Sequence, residues 1–127
     1  MTNPADNLKG KDILIVEDQP GLAEMLSWTL SHFGMRVSAA DLGAKALDQL
    51  QEQTPDVILL DLMLPDMDGL EIVRFVRGDA RLKDVPIIVM TASFGRREEC
   101  LRSGCNDFLA KPFNPEVLVG RIAALLS

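Results

Sequence analysis

The chain has 127 residues, of which 47% are hydrophobic and 25% are charged, with a formal net charge of −6. This size and balance predict one globular domain with a single core. The negative charge disfavours direct binding to nucleic acid or to an anionic membrane surface, and no apolar run is long enough to cross a bilayer. The single histidine excludes a metal centre built from several histidines.

The first eleven residues are polar and lack the apolar core of a signal peptide. We therefore expect residues 1–11 to form a flexible tail in front of a domain that spans residues 12–127. The absence of a signal peptide also predicts a cytoplasmic protein.

The first half of the chain alternates between strand and helix patterns. Residues 13–16 are apolar and predict a buried strand, followed by a helix that begins at Pro20 and ends at Gly34. Residues 35–39 alternate in polarity, which is typical of an edge strand. Asp41 is expected to cap a second helix.

The central segment spans residues 57–61 and consists of four apolar residues followed by Asp61. A short run of this kind is typical of a strand buried on both faces of a parallel sheet. Because a carboxylate does not belong inside such a sheet, Asp61 should lie at the carboxyl end of the strand, where α/β folds bind ligands. Pro65 and residues 66–69 then predict a turn into a third helix.

The second half repeats the alternation. Residues 87–91 predict a fourth strand, 96–102 a short exposed helix, and 107–111 a fifth strand. Asn114 is expected to cap the last helix, with Pro115 at its first position. The order of segments predicts an α/β fold, a doubly wound parallel sheet of five βα units with helices on both faces.

Polar side chains that close different parallel strands should converge, because the carboxyl ends of such strands lie along one edge of the sheet. Here these side chains are Glu17, Asp18, Asp61, Thr91 and Lys111. Three carboxylates facing one ammonium repel one another and raise one another's pKa unless a cation joins them. Ligands that are all oxygen, with room for water, favour Mg²⁺ over Zn²⁺. Each of these residues alone has an ordinary structural explanation. Taken together, those separate explanations account poorly for the occurrence of all five residues at strand ends.

Four motifs of the chain, taken together, resemble the receiver domain of two-component response regulators, and the resemblance runs from Lys11 to Ser127. They are Ile15-Val16-Glu17-Asp18, Asp61 with Pro65-Asp66-Met67-Asp68-Gly69, Met90-Thr91-Ala92, and Asp107-Phe108-Leu109-Ala110-Lys111-Pro112-Phe113. The resemblance implies a flavodoxin-like strand order 2-1-3-4-5. It also implies a phosphorylation-dependent signalling switch, which is not an enzyme beyond catalysing its own phosphorylation and dephosphorylation.

The resemblance further implies the chemistry of the site. Asp61 would be the phosphoacceptor, and its donor a phosphohistidine on a sensor histidine kinase or a histidine phosphotransfer protein. Mg²⁺ would be the cofactor, bound directly by Asp18, Asp61 and the backbone carbonyl of Met63. Glu17 would reach the metal through bound water.

The remaining implied roles concern the response to the phosphoryl group. Lys111 would pair with a phosphoryl oxygen, aimed by a cis peptide bond to Pro112. Thr91 would donate its hydroxyl to that group, and Phe108 would move inward after it. The resulting change would alter the face made by the fourth helix, fifth strand and fifth helix, through which a second copy of the chain is an expected partner.

Two other classes of protein are alternatives. A phosphohydrolase with an aspartate nucleophile would carry a second aspartate two residues later, where this chain has Met63. A flavodoxin-like cofactor binder would need a phosphate loop after the first strand, where Glu17 and Asp18 would repel phosphate. Whether the chain is a single-domain regulator or the receiver of a longer protein is left open.

Overall fold

The computed structural model describes residues 4–93 and 95–127. The strands are β1 (Asp12–Val16), β2 (Arg36–Ala40), β3 (Val57–Asp61), β4 (Ile87–Thr91) and β5 (Asp107–Ala110). The helices are α1 (Pro20–His32), α2 (Gly43–Glu52), α3 (Leu70–Gly78), α4 (Arg97–Ser103) and α5 (Pro115–Leu126), with a 3₁₀ helix at Pro4–Leu8. None of the helices in the described residues is both long and apolar enough to span a bilayer.

All strand pairs are parallel and form one sheet in the order β2-β1-β3-β4-β5. The predicted doubly wound (βα)5 fold and its strand order are therefore confirmed. The order reverses between β1 and β3, because β2 lies outside β1 while the chain later continues from β3 through β4 to β5. In α/β sheets this reversal opens a crevice at the carboxyl edge, which is where ligands bind.

The three inner strands are apolar on both faces because helices cover both. Side chains such as Ile15 and Leu59 pack with α1 and α5 on one face of the sheet. The alternate residues, such as Val16 and Leu60, pack with α2, α3 and α4 on the other face. This two-sided burial explains why residues 57–60 form a continuous apolar run.

The helix starts agree with the prediction in one case and differ in another. Asn114 caps α5, since its side-chain oxygen accepts a hydrogen bond from the Glu116 N–H at 2.8 Å. Asp41 does not cap α2, because Leu42 occupies the cap position in an extended conformation. Asp41 precedes the cap position by one residue. It instead forms an exposed ion pair with Lys45 at 2.9 Å.

The part of the predicted tail that the structure describes packs against the domain. The 3₁₀ helix at Pro4–Leu8 packs against α5, and the Asn7 side-chain amide donates to the Ala123 carbonyl at 2.9 Å. Leu8 is fully buried in the core between the sheet, α1 and α5. One apolar side chain in a polar segment produces no periodic pattern, so the sequence does not reveal this packing. Residues 1–3 of the predicted tail lie outside the described residues.

Leu8→Ala should therefore lower the free energy of unfolding by about 2–5 kcal/mol, since it removes a fully buried side chain and leaves a cavity. Leu101→Ala is the control, because Leu101 on α4 is 42% exposed and its loss should cost only about 0.5 kcal/mol or less. Urea denaturation of both variants gives the comparison. Equal, small losses would mean that the segment before β1 adds nothing to the fold.

Candidate functional site

The residues that end the strands do meet at the carboxyl edge. Glu17 and Asp18 follow β1, Asp61 is the last residue of β3, and Lys111 follows β5. Thr91 ends β4 between them. Glu17, Asp61 and Thr91 are 2%, 4% and 1% exposed, respectively, and they are the buried polar or charged residues of the described chain. Buried polar side chains concentrate at this one edge because parallel strands all end there.

The Lys111 ammonium bridges two of the buried carboxylates. Its Nζ donates to Glu17 Oε1 at 2.5 Å and to Asp61 Oδ2 at 2.7 Å. Burial by itself lowers the pKa of Lys111, but the hydrogen bonds to Asp61 and Glu17 outweigh it and hold that pKa above its ordinary value. Burial raises the pKa of Glu17 above its ordinary value, although the Lys111 ammonium acts in the opposite direction. The ammonium therefore remains charged and offsets part of the negative charge.

The acidic residues form a cluster suited to a metal ion. Glu17, Asp18 and Asp61 each place one carboxylate oxygen within 4.8 Å of the others'. Asp18 is half-buried at the rim, and Lys111 supplies one positive charge against three negative ones. The donors are all oxygen, which hard divalent cations such as Mg²⁺ prefer, so this donor set fits the predicted metal.

The loop from Leu62 to Gly69 closes tightly over the end of β3. The Gly69 N–H donates to the Leu62 carbonyl at 2.7 Å, and Met63 pairs with Asp68 in an antiparallel bridge. A Cβ at Gly69 would lie 2.5 Å from the backbone oxygen of Asp61, so a glycine is needed at this point. The Met63 N–H in turn donates to Asp61 Oδ1 at 3.0 Å, which fixes the orientation of that carboxylate.

The other predicted site residues lie on β4 and β5 or directly after β5. The Thr91 hydroxyl oxygen accepts a hydrogen bond from the Ser93 N–H at 3.2 Å. Phe108 is half-buried and packs against the core on the α2, α3 and α4 side of the sheet, next to Val89 in the strand register. The Lys111–Pro112 peptide bond is cis, as the resemblance implies. The geometry thus brings Lys111 into direct contact with the carboxylates. Phe108 precedes it on β5 and lies back from the carboxyl end of that strand.

Three contributors to this site were not identified as such from sequence. The Gln19 N–H donates to Glu17 Oε2 at 3.1 Å, and its side-chain oxygen lies 3.4 Å from Lys111 Nζ. The sequence places Asp66 in a turn, and in the structure its carboxylate also accepts hydrogen bonds from the first turn of α2. Arg96 donates to Asp68 at 2.7 Å and to Glu99 at 2.8 Å. No local pattern marks Gln19 or Arg96, whereas the proline–aspartate turn at 65–66 is a signal for an exposed carboxylate.

Comparison with known proteins agrees with this geometry. The response regulator receiver domain family matches residues 13–123. The DNA-binding response regulator MtrA of Mycolicibacterium smegmatis is 41% identical over 116 residues, covering 90% of this chain and 50% of MtrA. The chain therefore spans about half the length of this relative.

Two solved structures are similar along nearly their whole length. The chemotaxis response regulator CheY4 of Vibrio cholerae superposes with a TM-score of 0.86 at 33% identity, covering 92% of this chain and 99% of that one. The receiver domain of sensor histidine kinase PA1611 from Pseudomonas aeruginosa gives 0.84 at 37% identity, covering 92% and 98%. That structure has a magnesium ion coordinated in its active-site cleft.

The fold and the acidic crevice define a receiver domain, the class of protein that acts as a phosphorylation-dependent signalling switch and not as a metabolic enzyme. The match over residues 13–123 places the chain in the response regulator receiver domain family. Neither the phosphohydrolase nor the flavodoxin-like alternative is supported by these relationships.

Proposed function

We propose that Asp61 is the phosphoacceptor and that it takes a phosphoryl group, in the cytoplasm, from a phosphohistidine on a sensor histidine kinase or a histidine phosphotransfer protein. The observation that carries this proposal is the 2.7 Å contact between Asp61 Oδ2 and Lys111 Nζ at the carboxyl end of the central strand. Glu17 is the weaker candidate, because its side chain is fully buried, whereas the Asp61 side chain is 6% exposed.

The transfer is a nucleophilic displacement at phosphorus. A carboxylate oxygen of Asp61 forms the new P–O bond as the P–N bond of the phosphohistidine breaks, and the imidazole leaves with the bonding electron pair. Negative charge is spread over the phosphoryl oxygens in the transition state. Lys111 is already in contact with Asp61, so its ammonium can stabilise that charge with little reorganisation.

We also propose Mg²⁺ as the cofactor. Asp18, Asp61 and the backbone carbonyl of Met63 would be its direct ligands, and Glu17 would act through bound water. When bound, the ion supplies positive charge that polarises the phosphoryl oxygens. The support in this chain is the oxygen cluster of Glu17, Asp18 and Asp61, whose charge a single lysine does not balance.

The signal would leave the site through Thr91 and Phe108. A phosphoryl oxygen would give the buried Thr91 hydroxyl a charged acceptor, a hydrogen bond worth about 1.5–3 kcal/mol. That energy shifts a two-state equilibrium by roughly 10-fold to 100-fold. Movement of Thr91 would leave space for the Phe108 ring, which is half-buried. The face of α4, β5 and α5 would then present a different surface to a target or to a second copy of the chain.

Incubation with Mg²⁺ and acetyl phosphate should add one phosphoryl group, at Asp61. Intact-mass measurement should detect the addition in the wild type and none in Asp61→Asn. Asp56→Asn is a matched control, because Asp56 directly precedes the same strand at its opposite end, and that variant should be labelled normally. Full labelling of Asp61→Asn would place the phosphoacceptor elsewhere.

Mg²⁺ should raise the melting temperature, because it binds the folded cluster and not the unfolded chain. At about ten times its Kd the gain is about 1.4 kcal/mol, or roughly 5 °C for a domain of this size. Asp18→Asn should remove most of the rise. Asp48→Asn makes the same change in charge at an exposed position of α2 and should keep it. Identical melting curves in EDTA and in millimolar Mg²⁺ would refute the metal site.

Beryllofluoride, a phosphoryl mimic, should change amide chemical shifts in α4, β5 and the start of α5 as well as around Asp61. Thr91→Ala removes the hydroxyl and should reduce the distant changes while Asp61 can still be phosphorylated. Thr91→Ser retains the hydroxyl and should preserve them. Changes confined to the surroundings of Asp61 in the wild type would contradict the role of Thr91 and Phe108.

A further inference from the structure

The loop that follows the phosphoacceptor strand is attached to α2 by a carboxylate. Asp66 Oδ1 accepts a hydrogen bond from the Gly43 N–H at 2.8 Å, and Asp66 Oδ2 accepts one from the Ala44 N–H at 2.9 Å. Both donors belong to the first turn of α2, whose own cap residue, Leu42, has no side chain that could accept them. An anionic group is also favoured at a helix N-terminus by the helix dipole. Asp66 therefore caps a helix that is 23 residues away in sequence.

A second contact joins the same two segments without any hydrogen bond. Met67 packs against the first residue of α2 so closely that a Cβ on Gly43 would lie 2.4 Å from Met67 Cγ. Met67 also contacts the core on the α2 and α3 side of the sheet. The tip of the loop is thus held on α2 by one polar and one apolar contact, made by adjacent residues.

The loop is short and internally paired, so its tip cannot shift without moving its base. Its base is closed by the hydrogen bond from the Gly69 N–H to the Leu62 carbonyl at 2.7 Å. The next pair, Met63 and Asp68, forms an antiparallel bridge. Pro65 fixes one further backbone dihedral between this bridge and the tip. The Met63 backbone, which makes a hydrogen bond to Asp61, is therefore only three residues from the anchor at Asp66.

We propose that Asp66 is a positioning residue for the metal and phosphoryl site. By fixing the loop of residues 62–69 on α2, Asp66 holds the Met63 backbone carbonyl where it can bind Mg²⁺. Asp66 touches neither the metal nor the phosphoryl group and acts through the backbone of the loop. The inference rests on the proposed function, since it requires Met63 to be a metal ligand.

A residue that only caps α2 would change stability without changing metal affinity, so the test compares the two properties. Asp66→Ala removes both acceptors, and Asp66→Asn retains one oxygen as a milder variant. Asp79→Ala is the matched control, because Asp79 Oδ1 likewise accepts two backbone N–H groups, from Arg81 and Leu82, and lies just after the C-terminal end of α3. Mg²⁺ Kd by calorimetry, melting temperature and amide hydrogen exchange are measured on the full chain.

Asp66→Ala and Asp79→Ala should both lower the melting temperature, but only Asp66→Ala should weaken Mg²⁺ binding, by about 10-fold, which is the size of effect seen when outer-shell support is lost. Asp66→Asn should fall between Asp66→Ala and the wild type. In metal-free protein, exchange should accelerate at Gly43, Ala44 and Met63 in Asp66→Ala alone.

An unchanged Kd in Asp66→Ala and Asp66→Asn, with the wild type binding Mg²⁺, would reduce Asp66 to a helix cap and overturn the inference while leaving the proposed function intact. Equal weakening in Asp79→Ala would also overturn it, because the effect would then follow from stability alone. Failure of the wild type to bind Mg²⁺ would instead remove the proposed function and this inference with it.

Discussion

The carboxyl edge of the sheet depends on one ammonium group that is shared by two buried carboxylates. Lys111 Nζ lies 2.5 Å from Glu17 and 2.7 Å from Asp61, and all three side chains are largely removed from water. Removing one partner of a buried pair typically costs about 3–5 kcal/mol, because the other charge remains without compensation. The strands that carry these residues must therefore end at the same level, and the sheet must place β1, β3 and β5 in parallel. The long lysine stem lets a residue after β5 reach across the end of β4.

This arrangement separates stability from chemistry within one small domain. The inner strands are covered by helices on both faces, so the apolar core stabilises the sheet without using the carboxyl edge. The buried carboxylates of the described residues, Glu17 and Asp61, lie at that edge, where their mutual repulsion opposes folding unless lysine or a cation offsets it. A site of this kind is sensitive to the arrival of a new charged group, because its groups are close together and poorly screened by water.

The loop of residues 62–69 connects this edge with the helices on one face of the sheet. Asp66 attaches it to the first turn of α2, and Asp68 attaches it to Arg96, directly before α4. Asp68 also accepts a hydrogen bond from the Leu70 N–H at the start of α3. Contacts of Asp66 and Asp68 thus attach three helices to the loop that directly follows Asp61.

The sequence by itself determined the features that arise from neighbouring residues. The bounds of β3 and β4 agree with the prediction, because a continuous apolar run is typical of a strand in a sheet that helices cover on both faces. The cap at Asn114 also agrees, because a cap residue bonds to the residues that directly follow it. The family and the candidate residues of the site also follow from local motifs. The tertiary structure alone decided the contacts between residues far apart in the chain. Leu8 packs on α5, and Asp66 rather than Asp41 caps α2, because spatial proximity and unsatisfied backbone donors, not sequence separation, determine which groups pair.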